Sequence, residues 1–358
     1  MSLLLSNADV ERALTAEDAI AATEEIYREL AEGKAINRAR SQTYLPVESK
    51  EHPGFHYRFK SQEGSGVSSG VWALRITSDM AGFSYTAGVK RRRILPVATG
   101  NRYCGMVILF DIERIEPVAF LPDGVIQKLR VAALSAVGAK YLAPAKPRVL
   151  GLFGSGWQAD AHIDFLCHQF PFERVKVYSP NHEHCREFCR KKSAQLNRSV
   201  EAVDAPAQAV EGSQVVQAAT AAWDAVFDGH LVEKGMYVCS IGGSDASNKR
   251  REIDDETIRR ADLYVVHSKE VARLDQSPDV WEVAQKGIKA WESIAEVQDL
   301  VAGKIQGRTR ADQITVFNNN TGAGTQFAAL GAAVLRRARS LGLGREIPTE
   351  WFLEDVSP

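Results

Sequence analysis

Arg148-Val149-Leu150-Gly151-Leu152-Phe153-Gly154-Ser155-Gly156-Trp157-Gln158-Ala159 is the stretch that decides the fold. A short apolar run meets Gly-x-Gly-x-x-Ala, and an amphipathic segment follows with Ala161, Ile163, Phe165 and Leu166 among its apolar residues. Strand, tight turn and helix in that order open a dinucleotide-binding βαβ unit. Gly154 permits the turn, and Gly156 lacks a Cβ, so a pyrophosphate can approach the backbone. Ala159 is small enough for the helix to pack close to the strand. Ser155, Trp157 and Gln158 complete the candidate phosphate loop, with Trp157 expected to pack rather than catalyse. The free N–H groups and positive end of the helix would hold the phosphates.

Downstream the pattern alternates strand and helix. Strands are expected at 149–153, 175–178, 215–219, 237–241, 263–266 and 314–317, which implies a parallel, doubly wound α/β sheet of Rossmann type. Upstream the character differs. Thr15 can cap a helix from Ala16 to about Glu32, with Gly33 as a stop. Strand-like runs follow at 41–45, 56–60, 71–76, 94–98, 104–111 and 117–121, then a helix over 127–142. Residues 77–95 read as a loop, and its Lys90-Arg91-Arg92-Arg93 run as a solvated surface. A last helix from Gln326 to about Ser340 is expected to return to the first domain. The chain is therefore expected to hold an α+β substrate domain over 1–135 with 325–358, and a Rossmann domain over 136–324.

Composition narrows the partners. The 358 residues suffice for two domains with real cores. A net charge of -1 gives no reason to expect nucleic acid or an anionic membrane. No apolar run approaches the roughly 20 residues that span a bilayer. The N-terminus lacks the basic and apolar regions of a secretory signal. Five scattered cysteines fit reduced thiols in a cytoplasmic protein.

The second strand of the nucleotide unit informs on cofactor type. An NAD-preferring unit usually ends it with an Asp or Glu that binds the ribose hydroxyls. Here Val175-Lys176-Val177-Tyr178 runs into Ser179-Pro180-Asn181 with no acid. A 2′-phosphate would meet no repulsion, and Ser179 and Asn181 can donate hydrogen bonds to it. NADP(H) is the expected preference. NAD(H) stays open, because backbone contacts can replace the missing acid.

Several stretches together resemble the ornithine cyclodeaminase/μ-crystallin family over nearly the whole chain. Gly105-Met106-Val107-Ile108-Leu109-Phe110-Asp111 is similar to the family's Gly-x-x-x-Leu-Phe-Asp strand. Arg130-Val131-Ala132-Ala133 resembles its Arg-Thr-Ala-Ala helix start, with Val131 in place of Thr. Gly154-Ser155-Gly156-Trp157-Gln158-Ala159 matches its Gly-x-Gly-x-Gln-Ala loop, and Gly243-Ser244-Asp245 followed by Glu252 resembles its Gly-x-Asp…Glu segment. The resemblance implies a Rossmann domain joined to a substrate domain that also forms a homodimer interface. It further implies nicotinamide-dependent hydride chemistry at the Cα of an amino acid or its imine.

On that resemblance Arg130 binds the substrate carboxylate, its planar fork suiting a bidentate contact. Arg40, or less so Arg38, corresponds to a second carboxylate-binding arginine. Arg75 stands where the family commonly has Lys. An arginine, with a pKa above about 12, does not serve in acid–base work, so Arg75 is expected to bind an anionic group. Lys60 and Lys90 are other sources of an ammonium. Asp245 matches the catalytic carboxylate that relays the substrate's nitrogen proton. Asn320 and Thr321, after the last strand, are candidates for the nicotinamide carboxamide. The expected reaction is NAD(P)H-dependent reduction of a small α-imino acid. An ornithine or lysine cyclodeaminase, and a dinucleotide-dependent binding protein like μ-crystallin, are the alternatives.

Other motifs carry less. His162 reads as a helix surface or core residue. His182, His184, Cys185 and Cys189 crowd one helix start without a second ligand pair, so no metal is expected. Gly66-Val67-Ser68-Ser69-Gly70 fits Gly-x-Ser-x-Gly but leads into a strand, which is the wrong context for a hydrolase nucleophile.

Overall fold

A computed structural model describes residues 1–86, 88–244, 249–319 and 322–356. The chain divides into two compact units: Met1–Phe83, Arg93–Arg130 and Gly322–Pro358 form the first, Ser84–Arg92 and Val131–Thr321 the second. The sequence boundaries lay at 135 and 325 and left 84–92 with the first domain, whereas the contacts of that short segment count it with the second. Among the described residues no helix is long and apolar enough to cross a membrane.

The second unit holds an eight-stranded, fully parallel sheet in the order Ser199–Ala202, Arg174–Tyr178, Val149–Phe153, Val215–Ala218, Tyr237–Ser240, Thr315–Asn318, Leu263–Val266, Ala295–Glu296. Strands covered on both faces must be apolar along their length. Leu150, Leu152, Val175, Val177, Val215, Val216, Val238, Val265 and Val316 are accordingly all buried. The six expected strands are present. The two short outer ones, with Ser199, Glu201 and Glu296, lack the apolar run that sequence reading needs. Strand order reverses at Val149–Phe153, whose neighbours are the next strand on one side and the fourth of the unit on the other. That reversal opens a crevice beyond the strands' carboxyl ends.

The first unit is built on a mixed sheet with the path Arg345–Ile347, Ser2–Leu4, Pro117–Pro122, Cys104–Asp111, Val71–Thr86, His56–Gly66, Ala35–Asn37. Ser41–Glu48 adds to His56–Gly66, and Val89–Leu95 to Val71–Thr86. The helix Ala16–Ala31 starts where Thr15 accepts a hydrogen bond from the Asp18 N–H, and it buries Ala19, Thr23, Ile26 and Tyr27 along one face. The last helix, Gly324–Ser340, packs on that helix and on the His56–Gly66 strand. The approach is close. A Cβ on Gly64 would stand 2.4 Å from the Thr325 nitrogen, and one on Gly324 would stand 2.0 Å from the Glu63 carbonyl.

One expectation is overturned here. Residues 77–95 are no loop. They are most of a long hairpin, Val71–Thr86 and Val89–Leu95, with Gly88 at φ +77° in its turn. The strand continues in register with its neighbour as far as His56 opposite Ala81. Phe83, Tyr85 and Thr86 are strand-favouring residues, and Ala81, Phe83 and Tyr85 alternate with Gly82 and Ser84; the polar run Thr77-Ser78-Asp79 before them is what hid the strand's continuation.

Candidate active site

The phosphate loop takes the shape its glycines require. Gly154 has φ +106°, and its N–H donates to the Tyr178 carbonyl at 2.8 Å. A Cβ there would lie 2.4 Å from the Ala219 carbonyl oxygen. At Gly156 a Cβ would meet nothing within 4 Å, so the space over that residue is open. Gly156 is also the N-cap of the helix Trp157–Gln169 and offers no side chain to its first N–H groups. An uncapped helix start facing open space is able to seat a phosphate. Ala159 is fully buried behind it. The hydroxyl of the buried Ser155 lies 2.9 Å from His184 Nδ1.

These residues border a cavity of ≈ 790 Å³, a volume suited to a large cofactor. Gly154, Ser155 and Gly156 share its wall with Tyr178, Ser179 and Asn181. Ser179 is buried, and the Asn181 side-chain oxygen Oδ1 accepts from the His184 N–H at 3.0 Å, capping the next helix. The Asn181 side-chain amide thus retains a donor. Trp157 is half exposed at the first helical position, and neither it, Gln158 nor Ala159 borders the cavity. Thr220, on the wall beyond the Val215–Ala218 strand, is held by Glu252: one carboxylate oxygen accepts from the Thr220 N–H at 2.5 Å and its hydroxyl at 2.7 Å, the other from the Ile241 N–H at 2.8 Å. Glu252 is fully buried, so it ties two strand-tip loops together.

The arginines lie in the first unit. Arg130, at 6% exposure, donates from Nε to Gln127 at 3.1 Å and from Nη1 to Gln326 at 2.8 Å, and Gln326 in turn donates to the Tyr27 hydroxyl. Arg75, also buried, grips Asp123 through Nε and Nη2 at 2.9 and 2.7 Å and Gln62 through Nη1 at 2.8 Å. Gly105 makes that possible, since a Cβ there would press on Asp123. Both guanidinium carbons stand 5.5 Å from the Phe327 ring centroid. Burial, and then the nearby charge of Arg75, push the Arg130 guanidinium below its ordinary range, with Arg40 adding a smaller effect in the same sense. Arg75 and Arg130 thus share the Phe327 ring, and Arg40 is near enough for its charge to act on Arg130. The fork of Arg75 is occupied by a carboxylate of the chain itself. Lys60 belongs to a neighbouring buried group, 3.8 Å from an Asp79 that Arg58 clasps at 2.7 and 2.8 Å.

Asp245, Asn320 and Thr321 lie outside the described residues. The backbone leading to the last two is anchored: the Asn319 amide donates to the Val131 carbonyl and the Ser135 hydroxyl, and the Asn318 amide donates to Asp279 at 2.6 Å. His162 is a core residue. Its Nδ1 meets the Gln158 carbonyl at 2.7 Å and its Nε2 the Ser135 hydroxyl at 3.1 Å, and burial lowers it to about 4. Ser68 sits in a 3-10 turn between two strands.

Sequence reading missed the hairpin tip. Tyr85, Gly88, Lys90 and Arg91 border the same cavity as the phosphate loop. Lys90 Nζ stands 3.9 Å from the Trp223 ring centroid, and Arg91 forms an antiparallel bridge with Ala222. The basic run was the available signal, but nothing in the sequence locates it beside residues 220–223.

Comparison with known proteins identifies the family and the fold. The model of the ornithine cyclodeaminase/mu-crystallin family matches residues 2–340, and the chain belongs to that family. It is 28% identical to the Delta(1)-pyrroline-2-carboxylate reductase of Bacillus cereus over 68% of this chain and 74% of the relative. It is 27% identical to the iminosuccinate reductase of Paracoccus denitrificans over 96% of this chain and 99% of the relative. Among solved structures, Thermococcus litoralis Delta(1)-pyrroline-2-carboxylate reductase in complex with NADH and L-proline superposes with a TM-score of 0.82 at 26% identity, covering 96% of this chain and 100% of that one.

Proposed function

We propose that this member of the ornithine cyclodeaminase/mu-crystallin family is an NAD(P)H-dependent oxidoreductase that reduces a small α-imino acid. The observation that carries the reading is the buried charge excess in the first unit. Arg75 is paired with the carboxylate of Asp123, whereas Arg130 is buried beside it with the neutral Gln127 and Gln326 as its hydrogen-bond partners. Two desolvated guanidiniums against one carboxylate favour a further anion, and the carboxylate of an α-imino acid is one. The relatives act on substrates of this class by name, which agrees with that charge.

The dinucleotide supplies the hydride when bound. Gly154, Ser155, Gly156 and the helix start behind them hold its pyrophosphate. Arg130, with Arg40, takes the substrate carboxylate and so fixes Cα, while Arg75 contributes charge with its own donors engaged on Asp123 and Gln62. Asp245 holds the substrate nitrogen and its proton. One imine, one reduced dinucleotide and one proton give one amine and one oxidised dinucleotide. NADP(H) is preferred and NAD(H) accepted, because Ser179 and Asn181 stand where an acid would repel a 2′-phosphate. The protein acts as a homodimer: Leu45, Tyr57, Phe59 and Met106 lie exposed on the first unit's sheet, an apolar surface suited to a second copy.

The test is a panel of cyclic imines, and of α-keto acids with ammonia or methylamine, assayed with both reduced cofactors. Stoichiometric loss of the nicotinamide absorbance with amino-acid formation is expected. Ammonia release from ornithine or lysine without net absorbance change would make the protein a cyclodeaminase instead. Cofactor binding without turnover on any substrate would make it a binding protein.

A further inference from the structure

The cavity that receives the dinucleotide has a wall that the βαβ unit does not provide. Residues 84–92, the tip of the Val71–Thr86 and Val89–Leu95 hairpin, lie over the loop that follows the Val215–Ala218 strand. The bridge between Arg91 and Ala222 fixes the tip by backbone pairing. The ammonium of Lys90 over the indole of Trp223 fixes it by a side chain. Lys90 and Arg91 border the same cavity as the residues that follow the second strand, Ser179 and Asn181. Asp224 borders it too, so the two cations outweigh one carboxylate. Arg91 Nε is buried and has no hydrogen-bond partner. A buried guanidinium N–H without an acceptor is costly, and a shift of the side chain toward an anion bound in the cavity would relieve it.

We propose that Arg91, supported by Lys90, binds the 2′-phosphate of the adenosine ribose and sets the cofactor preference of this protein. The proposal rests on the dinucleotide reading of the cavity and assigns the missing counter-charge to the hairpin rather than to the tip of the second strand. An arginine is the suitable residue, because its planar fork meets a phosphate through two N–H groups at once.

The experiment measures dissociation constants for NADPH, NADH, 2′,5′-ADP and 5′-ADP by calorimetry, with wild type, Arg91→Gln, Arg91→Lys and Lys90→Gln. Thermal unfolding of each variant confirms that it is folded. Arg91→Gln should weaken NADPH and 2′,5′-ADP by about 10- to 100-fold, the loss of a charged hydrogen-bonded pair, and change NADH and 5′-ADP by less than about threefold. Lys90→Gln should act in the same direction but less, and Arg91→Lys should fall between wild type and Arg91→Gln. Equal losses for phosphorylated and unphosphorylated ligands would place Arg91 on the pyrophosphate and overturn the proposal. So would a wild type that binds NADH better than NADPH, or an Arg91→Gln protein with unchanged NADPH affinity. A wild type that binds none of the four ligands would instead refute the dinucleotide reading itself.

Discussion

Replacing Arg130 by methionine tests the substrate site with the least disturbance elsewhere. The side chain is buried, and methionine is long and apolar enough to fill much of its volume. Two hydrogen bonds vanish, those to Gln127 and Gln326, together with the contact to the Phe327 ring. At about 1 kcal/mol per hydrogen bond the fold would lose roughly 2 kcal/mol. Against that, the variant no longer buries a guanidinium beside that of Arg75, the two effects that depress Arg130 in the wild type. Stability should therefore shift by about 1 kcal/mol or less, a few degrees in Tm. Substrate recognition has no such compensation. A bidentate contact from guanidinium to carboxylate is worth about 3–5 kcal/mol, so kcat/KM should fall by roughly two to four decades. KM should carry most of the loss, and kcat some, through misplacement of Cα. Arg130→Lys keeps the charge without the fork and should lie between. The assay pairs initial rates on the imine substrate with cofactor titration by fluorescence, where the dissociation constant should stay within about threefold because Arg130 does not border the dinucleotide cavity. A folded Arg130→Met protein with near-normal KM would refute the assignment.

Four further outcomes follow from the structure. Gly156→Val should fold normally, because φ at this residue is −93° and a Cβ meets nothing within 4 Å, yet raise the dinucleotide dissociation constant by at least about tenfold through a branched side chain in the phosphate seat; unchanged affinity in a calorimetric titration would contradict the loop assignment. Asp245→Asn should lower kcat by about two to four decades, the usual range for lost proton transfer, with cofactor affinity intact; wild-type turnover would remove Asp245 from the mechanism. Glu252→Gln sets an amide donor against backbone N–H donors at Thr220 or Ile241, and should cost about 1–3 kcal/mol in chemical denaturation and weaken dinucleotide binding by releasing Thr220; a variant as stable as wild type would show that the two loops do not depend on Glu252. His162 is lowered to about 4 from an unfolded value near 6.5, so the stability it contributes is complete above pH 6.5 and lost as pH falls toward 4; this amounts to about 3 kcal/mol, and His162→Gln should flatten that part of the pH–stability curve, whereas identical slopes in both proteins would show that burial does not hold the imidazole neutral.

The nucleotide unit was legible because its parts are local. Gly154 and Gly156 carry their meaning in a six-residue stretch, and strands buried on both faces announce themselves as apolar runs such as Val149–Phe153 and Leu263–Val266. The arginine cluster was legible only in part. The resemblance singled out Arg40, Arg75 and Arg130, but Asp123 and Gln62, which occupy the fork of Arg75, belong to separate elements that only folding brings to it. The same limit hid the role of Glu252, whose partners Thr220 and Ile241 are strand-tip backbone groups distant in sequence.

The hairpin tip marks the boundary more sharply. Four consecutive basic residues in a polar setting usually face water, and by composition alone Lys90 and Arg91 have no reason to do otherwise. Their surroundings differ because Val71–Thr86 runs well past the length of an average strand. That length carries the turn at Gly88 to the loop after Val215–Ala218, where Ala222 and Trp223 receive it. Strand length was not readable, since the polar run Thr77-Ser78-Asp79 breaks the apolar pattern midway along the strand. A charge pattern therefore acquires its meaning from an element boundary, and the phosphate-binding role proposed for Arg91 depends on that boundary rather than on the basic run itself.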